Sequence, residues 1–240
     1  QLLQAGGVRT GIEAQRRVAP FCMGSLFWQF NDCWPGVTFS CIDYFGRWKA
    51  LAYSAREGFD HILVSPVLRG DSIYVCVASD RLYNLEGELK ARAFDFKGKL
   101  LFKEVSSVTL LSNSSSIYFA APVEKLSRGN CRRRTVLDFR FYHRGEELAD
   151  NQIYLVCPKD LMLPDPGVEY EIMEAGGGGI IRIGCRNLVK NISLCLHGAE
   201  CFFSDNYFDM IPGEIREVMI RTDEDIDYIR KNFGYRTLYR

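Results

Sequence analysis

The feature that most constrains the fold is a series of short runs in which apolar and polar residues alternate, beginning near residue 61. Such runs lie at residues 72–78, 88–96 and 135–142, and segments with turn residues separate them, at 84–87 and 96–99. Alternation with period two is typical of strands that bury one face, and strands spaced by roughly 8 to 12 residues are typical of antiparallel sandwiches. We therefore predict a β-sandwich domain over residues 61–163.

The same pattern resumes after residues 164–167 (Pro-Asp-Pro-Gly), which we interpret as a linker. Four consecutive glycines at residues 176–179 precede a strand rather than a helix, so they indicate a hairpin loop and not a phosphate-binding loop. We predict a second sandwich domain over residues 164–240, with strand-like runs at 179–185, 192–196 and 215–220.

Residues 1–60 carry a different pattern, in which helical periods flank one apolar run. Residues 9–18 have helix-like content, residues 22–30 form a nearly continuous apolar run, and residues 46–59 repeat apolar side chains at helical spacing. A strand buried on both faces and followed by a helix is one unit of a parallel α/β fold. Because one unit cannot cover its own sheet, we expect the rest of this domain upstream and interpret the chain as a C-terminal fragment.

Charge and hydropathy argue against two classes of partner. The 30 Lys and Arg balance the 30 Asp and Glu, and the short basic run at residues 132–134 has no interleaved aromatics. We therefore expect no nucleic-acid partner. No apolar run approaches the roughly 20 residues that span a bilayer, so we expect no membrane partner.

The cysteines bear on compartment and on metal binding. There are nine, an odd number without CxxC spacing, which favours buried free thiols over a disulfide framework. We predict a cytoplasmic location on this basis, with a lysosome or periplasm as the alternative. Only three histidines are present and none has ligand spacing to a cysteine, so we predict no metal site.

The candidate binding residues crowd into residues 24–35 (GSLFWQFNDCWP), where Trp28, Asn31, Asp32 and Trp34 follow the apolar run. An indole face together with amide and carboxylate groups is typical of a sugar site, because the face packs on C–H groups and the polar groups bind hydroxyls. The alternative is that Trp28 belongs to a core and that the polar residues only build a turn.

Residues 24–53 (GSLFWQFNDCWPGVTFSCIDYFGRWKALAY) resemble the end of the catalytic barrel of β-mannosidases in glycoside hydrolase family 2. The family signature W-Q-x-N-D-x-W-P is followed there by S-x-I-D-Y-x-G-R-W-K-A-L. Residues 4–17 resemble the helix that precedes this strand, and residues 203–214 (FSDNYFDMIPGE) resemble part of the C-terminal β-domain.

The resemblance implies a fold class: the last β/α unit of a (β/α)₈ barrel, at residues 1–60, followed by two immunoglobulin-like antiparallel β-sandwich domains at 61–163 and 164–240. It implies a retaining exo-β-mannosidase that hydrolyses terminal non-reducing β-mannose of oligosaccharides, without a cofactor. The partners would be that substrate and the missing N-terminal part of the protein.

Retaining hydrolysis uses two carboxyl groups roughly 5 to 5.5 Å apart. In the family these are glutamates on the fourth and seventh barrel strands, which have no counterpart here, so we predict no catalytic residue in this chain. Glu13 and Glu57 lie on the flanking helices, and we interpret both as solvated surface charges.

By the same resemblance, Trp28 forms the floor of the subsite for the cleaved sugar. Asn31 and Asp32 either bind hydroxyls or hold the loop, and Trp34 either lines the site or packs beneath it. For Asp43, in the loop that follows, we favour a structural role toward Arg47.

Two alternative functions remain open on the sequence. One is another family 2 activity: β-galactosidase, β-glucuronidase, exo-glucosaminidase or endo-β-mannosidase. The other is a non-catalytic β-sandwich module associated with carbohydrate, although such a module has no use for a barrel strand and helix.

Overall fold

A computed structural model describes residues 1–239, and most of its regular structure is antiparallel β-strand. The described chain divides into two compact units, one made of residues 1–8, 27–55 and 163–240 and the other of residues 9–26 and 56–162. Two helices, α1 (Leu2–Arg16) and α2 (Ala50–Gly58), contribute residues to both units. None of the helices among the described residues is long and apolar enough to cross a membrane.

The unit that contains residues 56–162 holds a seven-stranded sandwich. One sheet has the order β1-β2-β5 and the other the order β4-β3-β6-β7. Its elements are β1 (Ile62–Arg69), β2 (Ser72–Ser79), β3 (Leu85–Asp95), β4 (Leu100–Leu110), β5 (Ser114–Pro122), α3 (Val123–Ser127), β6 (Thr135–His143) and β7 (Glu146–Tyr154), with short 3₁₀ turns at Arg132–Arg134 and Pro158–Asp160.

The core of this sandwich forms where the apolar faces of its two sheets meet. The rings of Phe119 of β5 and Phe139 of β6 pack at a tilted angle with centroids 5.7 Å apart, and the Phe102 ring of β4 lies 6.4 Å from that of Phe119. All three rings are buried in one apolar cluster. Alternation along β6 aims Leu137, Phe139 and Phe141 at the core, as the period-two pattern predicts.

The other unit holds a second sandwich. Its sheets have the orders β12-β10-β14 and β11-β13-β9-β8. Its elements are β8 (Val168–Ala175), β9 (Gly178–Cys185), β10 (Val189–Leu196), β11 (Phe202–Phe203), β12 (Phe208–Met210), β13 (Ile215–Arg221), α4 (Ile226–Asn232) and β14 (Phe233–Arg236). Ile181, Ile192 and Val218 are fully buried at the centre of its core.

The predicted strands of both sandwiches are confirmed, and so is the hairpin at the glycine run. The hairpin joins β8 to β9, and Gly177 within it has a φ of +78°. A Cβ on Gly178 would lie 2.1 Å from the carbonyl oxygen of Ile220, so the β13 backbone also requires glycine there.

One predicted turn is wrong. Residues 84–87 were expected to form a turn, but β3 begins at Leu85 and Gly87 pairs with Val108 of β4. A Cβ on Gly87 would lie 2.2 Å from the carbonyl oxygen of Tyr142 and 2.5 Å from the ring of Phe141. The glycine is there because the neighbouring strand approaches closely, and not because the chain turns.

The predicted barrel strand at residues 22–30 is also wrong for this chain. The structure assigns no strand there, and the nearest pairing is an isolated bridge between Asn31 and Ile42. Among residues 1–239 no segment offers a ladder to either edge of this run, and a strand needs such a ladder to bond its backbone N–H and C=O groups. Consistently, Leu26 and Trp28 are exposed rather than buried. The barrel unit is therefore not evident, and the division of the chain at residues 60 and 163 stays a prediction.

The helix expected from residue 46 begins instead at Ala50, because residues 43–47 form a turn around Asp43. Its Oδ1 accepts hydrogen bonds from the N–H groups of Phe45 and Arg47, both at 2.9 Å, and Gly46 has a φ of +79°. The expected pairing with Arg47 is confirmed, with Nε to Oδ2 at 2.7 Å. The carboxylate thus stabilises a turn that ends before the helix starts.

Candidate functional site

The segment from residue 27 to residue 49 carries all four candidate binding residues and is held by backbone hydrogen bonds without a regular strand. The N–H of Ile42 donates to the carbonyl of Phe30 at 2.9 Å, and the N–H of Asp32 donates to the carbonyl of Ile42 at 3.0 Å. Lys49 closes the segment, since its N–H donates to the carbonyl of Cys41 at 2.9 Å. The candidate residues therefore lie on a loop that folds back on itself before α2.

Asp32 is the buried centre of this loop. Its Oδ2 accepts hydrogen bonds from Ser40 Oγ at 2.6 Å and from Lys49 Nζ at 3.0 Å, while its Oδ1 accepts one from Thr38. Lys49 Nζ also donates to Ser40 Oγ at 2.6 Å. Both carboxylate oxygens are thus occupied by donors from the same loop.

These donors stabilise the charged form of Asp32. The hydrogen bond from Ser40 has the largest effect, followed by that from Thr38, and together with Lys49 they hold the pKa of Asp32 below its ordinary value. A carboxylate bonded in this way fixes the path of residues 32–49. Its predicted contact with a sugar stays a prediction.

The two tryptophans of the signature face away from any core in this chain. The side chain of Trp28 is 79% exposed and that of Trp34 is 77% exposed. The alternative that Trp28 is a core residue is therefore wrong for the chain as described. Asn31 is also exposed, and its backbone carbonyl accepts a hydrogen bond from the Gln29 amide at 2.7 Å. A loop with exposed indoles and a neighbouring amide has the chemistry of a sugar platform.

The loop is anchored through α2 to the second sandwich, which belongs to the same compact unit. Trp48 packs edge-on against Phe202, with ring centroids 5.2 Å apart, and against Tyr53 at 5.3 Å. The buried Tyr53 hydroxyl donates to the carbonyl of Phe203 at 3.1 Å, and its ring lies 5.8 Å from that of Tyr207. The segment that resembled a family β-domain, residues 203–214, thus helps to hold the candidate loop.

No pattern in the sequence identifies the residues that hold Asp32. Thr38, Ser40 and Lys49 bind its carboxylate. Ser40 and Lys49 are letters of the family signature and Thr38 is not, but the signature assigns none of them a role. A lysine 17 positions from a carboxylate gives no periodic signal, so only the folded loop brings the pair together.

Glu13 is the clearest correction among the charged residues. It was interpreted as a solvated surface charge, but it is buried. Its carboxylate accepts hydrogen bonds from Arg9 Nε at 2.8 Å, Asn151 Nδ2 at 3.0 Å and Ser65 Oγ at 3.1 Å. Glu57 is half-exposed and also pairs with Arg9. Glu13 therefore anchors the second half of α1 to the first sandwich, because Ser65 and Asn151 belong to β1 and β7.

The cysteines differ in exposure more than was expected. All nine are free thiols in the described part of the chain; Cys41 and Cys76 are buried, but Cys33, Cys131 and Cys157 are exposed. Burial raises the pKa of the Cys41 thiol, which donates to the carbonyl of Phe30 at 2.9 Å. Residues 1–239 contain no group of three His, Cys, Asp or Glu side chains arranged to hold a metal ion.

Comparison with known families assigns both sandwiches. Residues 71–160 match the model of a Mannosidase Ig/CBM-like domain, and residues 163–240 match that of an Ig-fold domain. Beta-mannosidase A of Neosartorya fischeri is 28% identical over 244 aligned residues, which cover 93% of this chain and 26% of that protein. Beta-mannosidase A of Aspergillus clavatus is 30% identical over 259 residues, covering 96% and 27%. Over nearly its whole length the chain is therefore similar to part of the beta-mannosidases, and both of its sandwiches match domain models described for mannosidases or for Ig folds.

The chain spans about a quarter of the length of these curated relatives and matches a C-terminal portion of them. Among solved structures, the β-D-mannosidase from Dictyoglomus thermophilum superposes with a TM-score of 0.88 and 24% identity, covering 99% of this chain and 29% of that one. An exo-chitosanase from Amycolatopsis orientalis superposes with a TM-score of 0.71 and 12% identity, covering 100% and 34%. At these identities the two structures show the shared fold.

Proposed function

We propose that this chain is the C-terminal part of a retaining exo-β-mannosidase that releases terminal non-reducing β-D-mannose from oligosaccharides. The observation that carries the proposal is the 28% identity to a beta-mannosidase A along 93% of the chain. The match extends beyond the two sandwiches into residues 1–60, where the motif with Trp28, Asn31, Asp32 and Trp34 lies.

In this proposal residues 1–60 form the last β/α unit of a (β/α)₈ barrel when the upstream part of the protein is present. Leu26 is fully exposed and Phe30 is 66% exposed, which a folded domain avoids at positions meant for a strand buried on both faces. Neighbouring barrel strands would cover these side chains and satisfy the backbone groups. The upstream part of the protein is thus a partner of this chain.

The mechanism divides between the two parts. The upstream barrel strands supply the acid and the nucleophile, two carboxyl groups roughly 5 to 5.5 Å apart. This chain supplies part of the sugar-binding wall: Trp28 packs against the apolar face of the mannose in the cleaved subsite, and Asn31 and Trp34 line its edge. The bonds to Asp32 keep the wall in one conformation, which limits the entropy lost on binding.

The test is hydrolysis of a panel of p-nitrophenyl glycosides by the full-length parent protein and by this 240-residue chain. We expect the parent to cleave the β-mannoside and the chain alone to cleave none. Cleavage of a galactoside, glucuronide or glucosaminide in preference to the mannoside would refute the proposed specificity. Activity of the chain alone would refute the location of the catalytic pair upstream.

Trp28→Ala in the parent tests the role of this chain in binding. We expect kcat/KM for the β-mannoside to fall at least about tenfold, because an aromatic platform lost from a desolvated pocket costs more than about 1.4 kcal/mol. Val37→Ala is the matched control, since Val37 is fully exposed in the same loop. Equal kinetics for the two variants would remove Trp28 from the site.

We also propose a reducing, cytoplasmic compartment. The support is the odd number of cysteines without CxxC spacing. Alkylation of the protein taken from its own cells, followed by mass spectrometry, is expected to modify all nine thiols of this region after unfolding. A pair that resists alkylation until a reductant is added would contradict the assignment.

A further inference from the structure

A second concave site lies within the compact unit that carries the candidate loop. It has a volume of about 420 Å³, inside the range of roughly 300 to 1,000 Å³ that is usual for ligand pockets. One wall is the turn with Phe45 and Arg47, and the other is made by loops of the second sandwich with Glu200, Arg221 and Asp223. We call it the turn pocket.

The turn pocket is close to the candidate sugar loop along the chain and in space. Ile42 bridges to Asn31, and its carbonyl accepts a hydrogen bond from the N–H of Asp32. Phe45 follows Ile42 by three residues, which an extended chain could separate by at most about 11 Å. The pocket is thus within a few sugar units of the segment that holds Trp28.

The two walls of the pocket are held by packing beside it. Trp48 follows the turn directly and packs on Phe202, which itself follows the pocket residue Cys201. The Asp43 carboxylate fixes the turn from the other side. Both walls are therefore preformed, which favours ligand binding because little ordering entropy remains to be lost.

The side chains in the pocket include charged groups without partners. No described residue forms a hydrogen bond or ion pair with the side chains of Arg221, Glu200 or Asp223, whereas the guanidinium of Arg47 pairs with Asp43 and stacks over Phe45 at 4.9 Å. One free guanidinium and two free carboxylates on one concave surface offer both donors and acceptors.

This combination favours a neutral, hydroxyl-rich ligand. The carboxylates of Glu200 and Asp223 accept hydrogen bonds from hydroxyls but repel phosphate, sulfate or another carboxylate. Arg221 donates to hydroxyl and ring oxygens, and Phe45, which is 54% exposed, provides an apolar ring at the edge. An anionic ligand would lie beside two like charges, since Glu200 and Asp223 are both exposed on this surface.

We propose that the turn pocket binds sugar units on the leaving-group side of the oligosaccharide substrate. It would make the second sandwich a determinant of preference for chain length. This inference rests on the proposed function, because a leaving-group side exists only if the loop with Trp28 binds the terminal sugar.

The experiment compares the parent protein with its Arg221→Ala, Asp223→Asn double variant. Lys231→Ala is the matched control, since Lys231 is an exposed cation of the same sandwich outside the pocket. Substrates are p-nitrophenyl β-mannoside, which ends after one sugar, and mannotetraose. In the double variant we expect the ratio of kcat/KM for mannotetraose to kcat/KM for the short substrate to fall about tenfold, because KM for mannotetraose rises.

The outcomes separate this inference from the proposed function. A wild-type parent that cleaves neither mannoside refutes the proposed function. A parent that cleaves both, with the same substrate ratio in the double variant as in Lys231→Ala, overturns the pocket inference alone. A ratio that changes through kcat with KM constant also overturns it, because the residues would then act on the reaction without binding the leaving group.

Discussion

Replacing Glu13 with alanine is expected to destabilise the first sandwich strongly, although the sequence places Glu13 on an ordinary charged helix. Its carboxylate is buried and accepts three hydrogen bonds, from Arg9, Ser65 and Asn151, while Arg17 Nη1 lies 3.8 Å away. Truncation leaves these donors facing a cavity instead of a charge. Burial disfavours the charge on Arg9, and Glu57 and Glu13 more than offset that effect, so its pKa is raised.

The size of the stability loss depends on which interactions Arg9 and Arg17 retain in the Glu13→Ala variant. Removing one member of a buried ion pair costs about 3 to 5 kcal/mol. Arg9 retains Glu57, and Arg17 retains a 2.6 Å hydrogen bond to Ser65, so we expect the lower end, about 3 kcal/mol. Helix propensity opposes the effect only slightly, because alanine exceeds glutamate by a few tenths of a kcal/mol. At about 2 to 4 °C per kcal/mol, Tm should fall by about 6 to 12 °C.

The assay is urea unfolding followed by circular dichroism, with hydrogen exchange of peptides that cover β1 and β7 as a local readout. Asn151 Nδ2 also donates to the carbonyl of Val64 at 2.9 Å, so faster exchange is expected in both strands. Gln15→Ala is the matched control, because Gln15 is exposed on the same helix. A loss below about 1 kcal/mol for Glu13→Ala would refute the buried anchor, since that is the size of an exposed ion pair.

Three further predictions concern single side chains. The hydrogen bonds to the Asp32 carboxylate stabilise the fold fully above the unfolded pKa of about 3.9, and this stabilisation is lost as the pH falls through the lower folded pKa. Denaturation curves should therefore show the difference in unfolding free energy between wild type and Asp32→Asn shrinking below about pH 4. Asp138 is fully buried and forms ion pairs with Arg92 at 2.6 Å and Arg140 at 3.1 Å. Asp138→Ala should therefore lower the free energy of unfolding in urea by about 3 to 5 kcal/mol. A loss below about 1 kcal/mol would show that water solvates the two guanidinium groups in the variant. Burial, together with the neighbouring carboxylate of Glu147, raises the pKa of Tyr142 to about 12. Ultraviolet titration should therefore find this hydroxyl protonated at pH 11, and Glu147→Gln should lower its pKa only in part. Titration of Tyr142 near pH 10 in the wild type would contradict this.

The strands of both sandwiches could be predicted from the sequence because their signal is local. Residues 135–142 alternate, and β6 buries Leu137, Phe139 and Phe141 on one face. The period of two follows from the geometry of each strand and needs no knowledge of its partners. The hairpin at residues 176–179 was also predictable from a local signal, which is the run of four glycines before a strand.

The candidate site was predictable only as a set of residues. The motif of residues 24–35 named Trp28, Asn31, Asp32 and Trp34, and the comparisons support its family. It did not indicate that Asp32 is buried under Ser40 and Lys49, or that the indoles are exposed. Both properties depend on which distant residues the folded loop brings into contact, and the periodicity of the sequence does not predict such contacts.

The sequence by itself determined which segments of the sandwiches form strands and which family motif the chain carries, because both depend on residues that are close together along the chain. Only the tertiary structure decided that Glu13 is buried, because its partner Asn151 lies 138 positions away. It also decided that residues 22–30 form no strand here: an apolar run becomes a strand only where another segment accepts its backbone hydrogen bonds. Burial and pairing belong to the assembled chain, and a residue's type fixes neither.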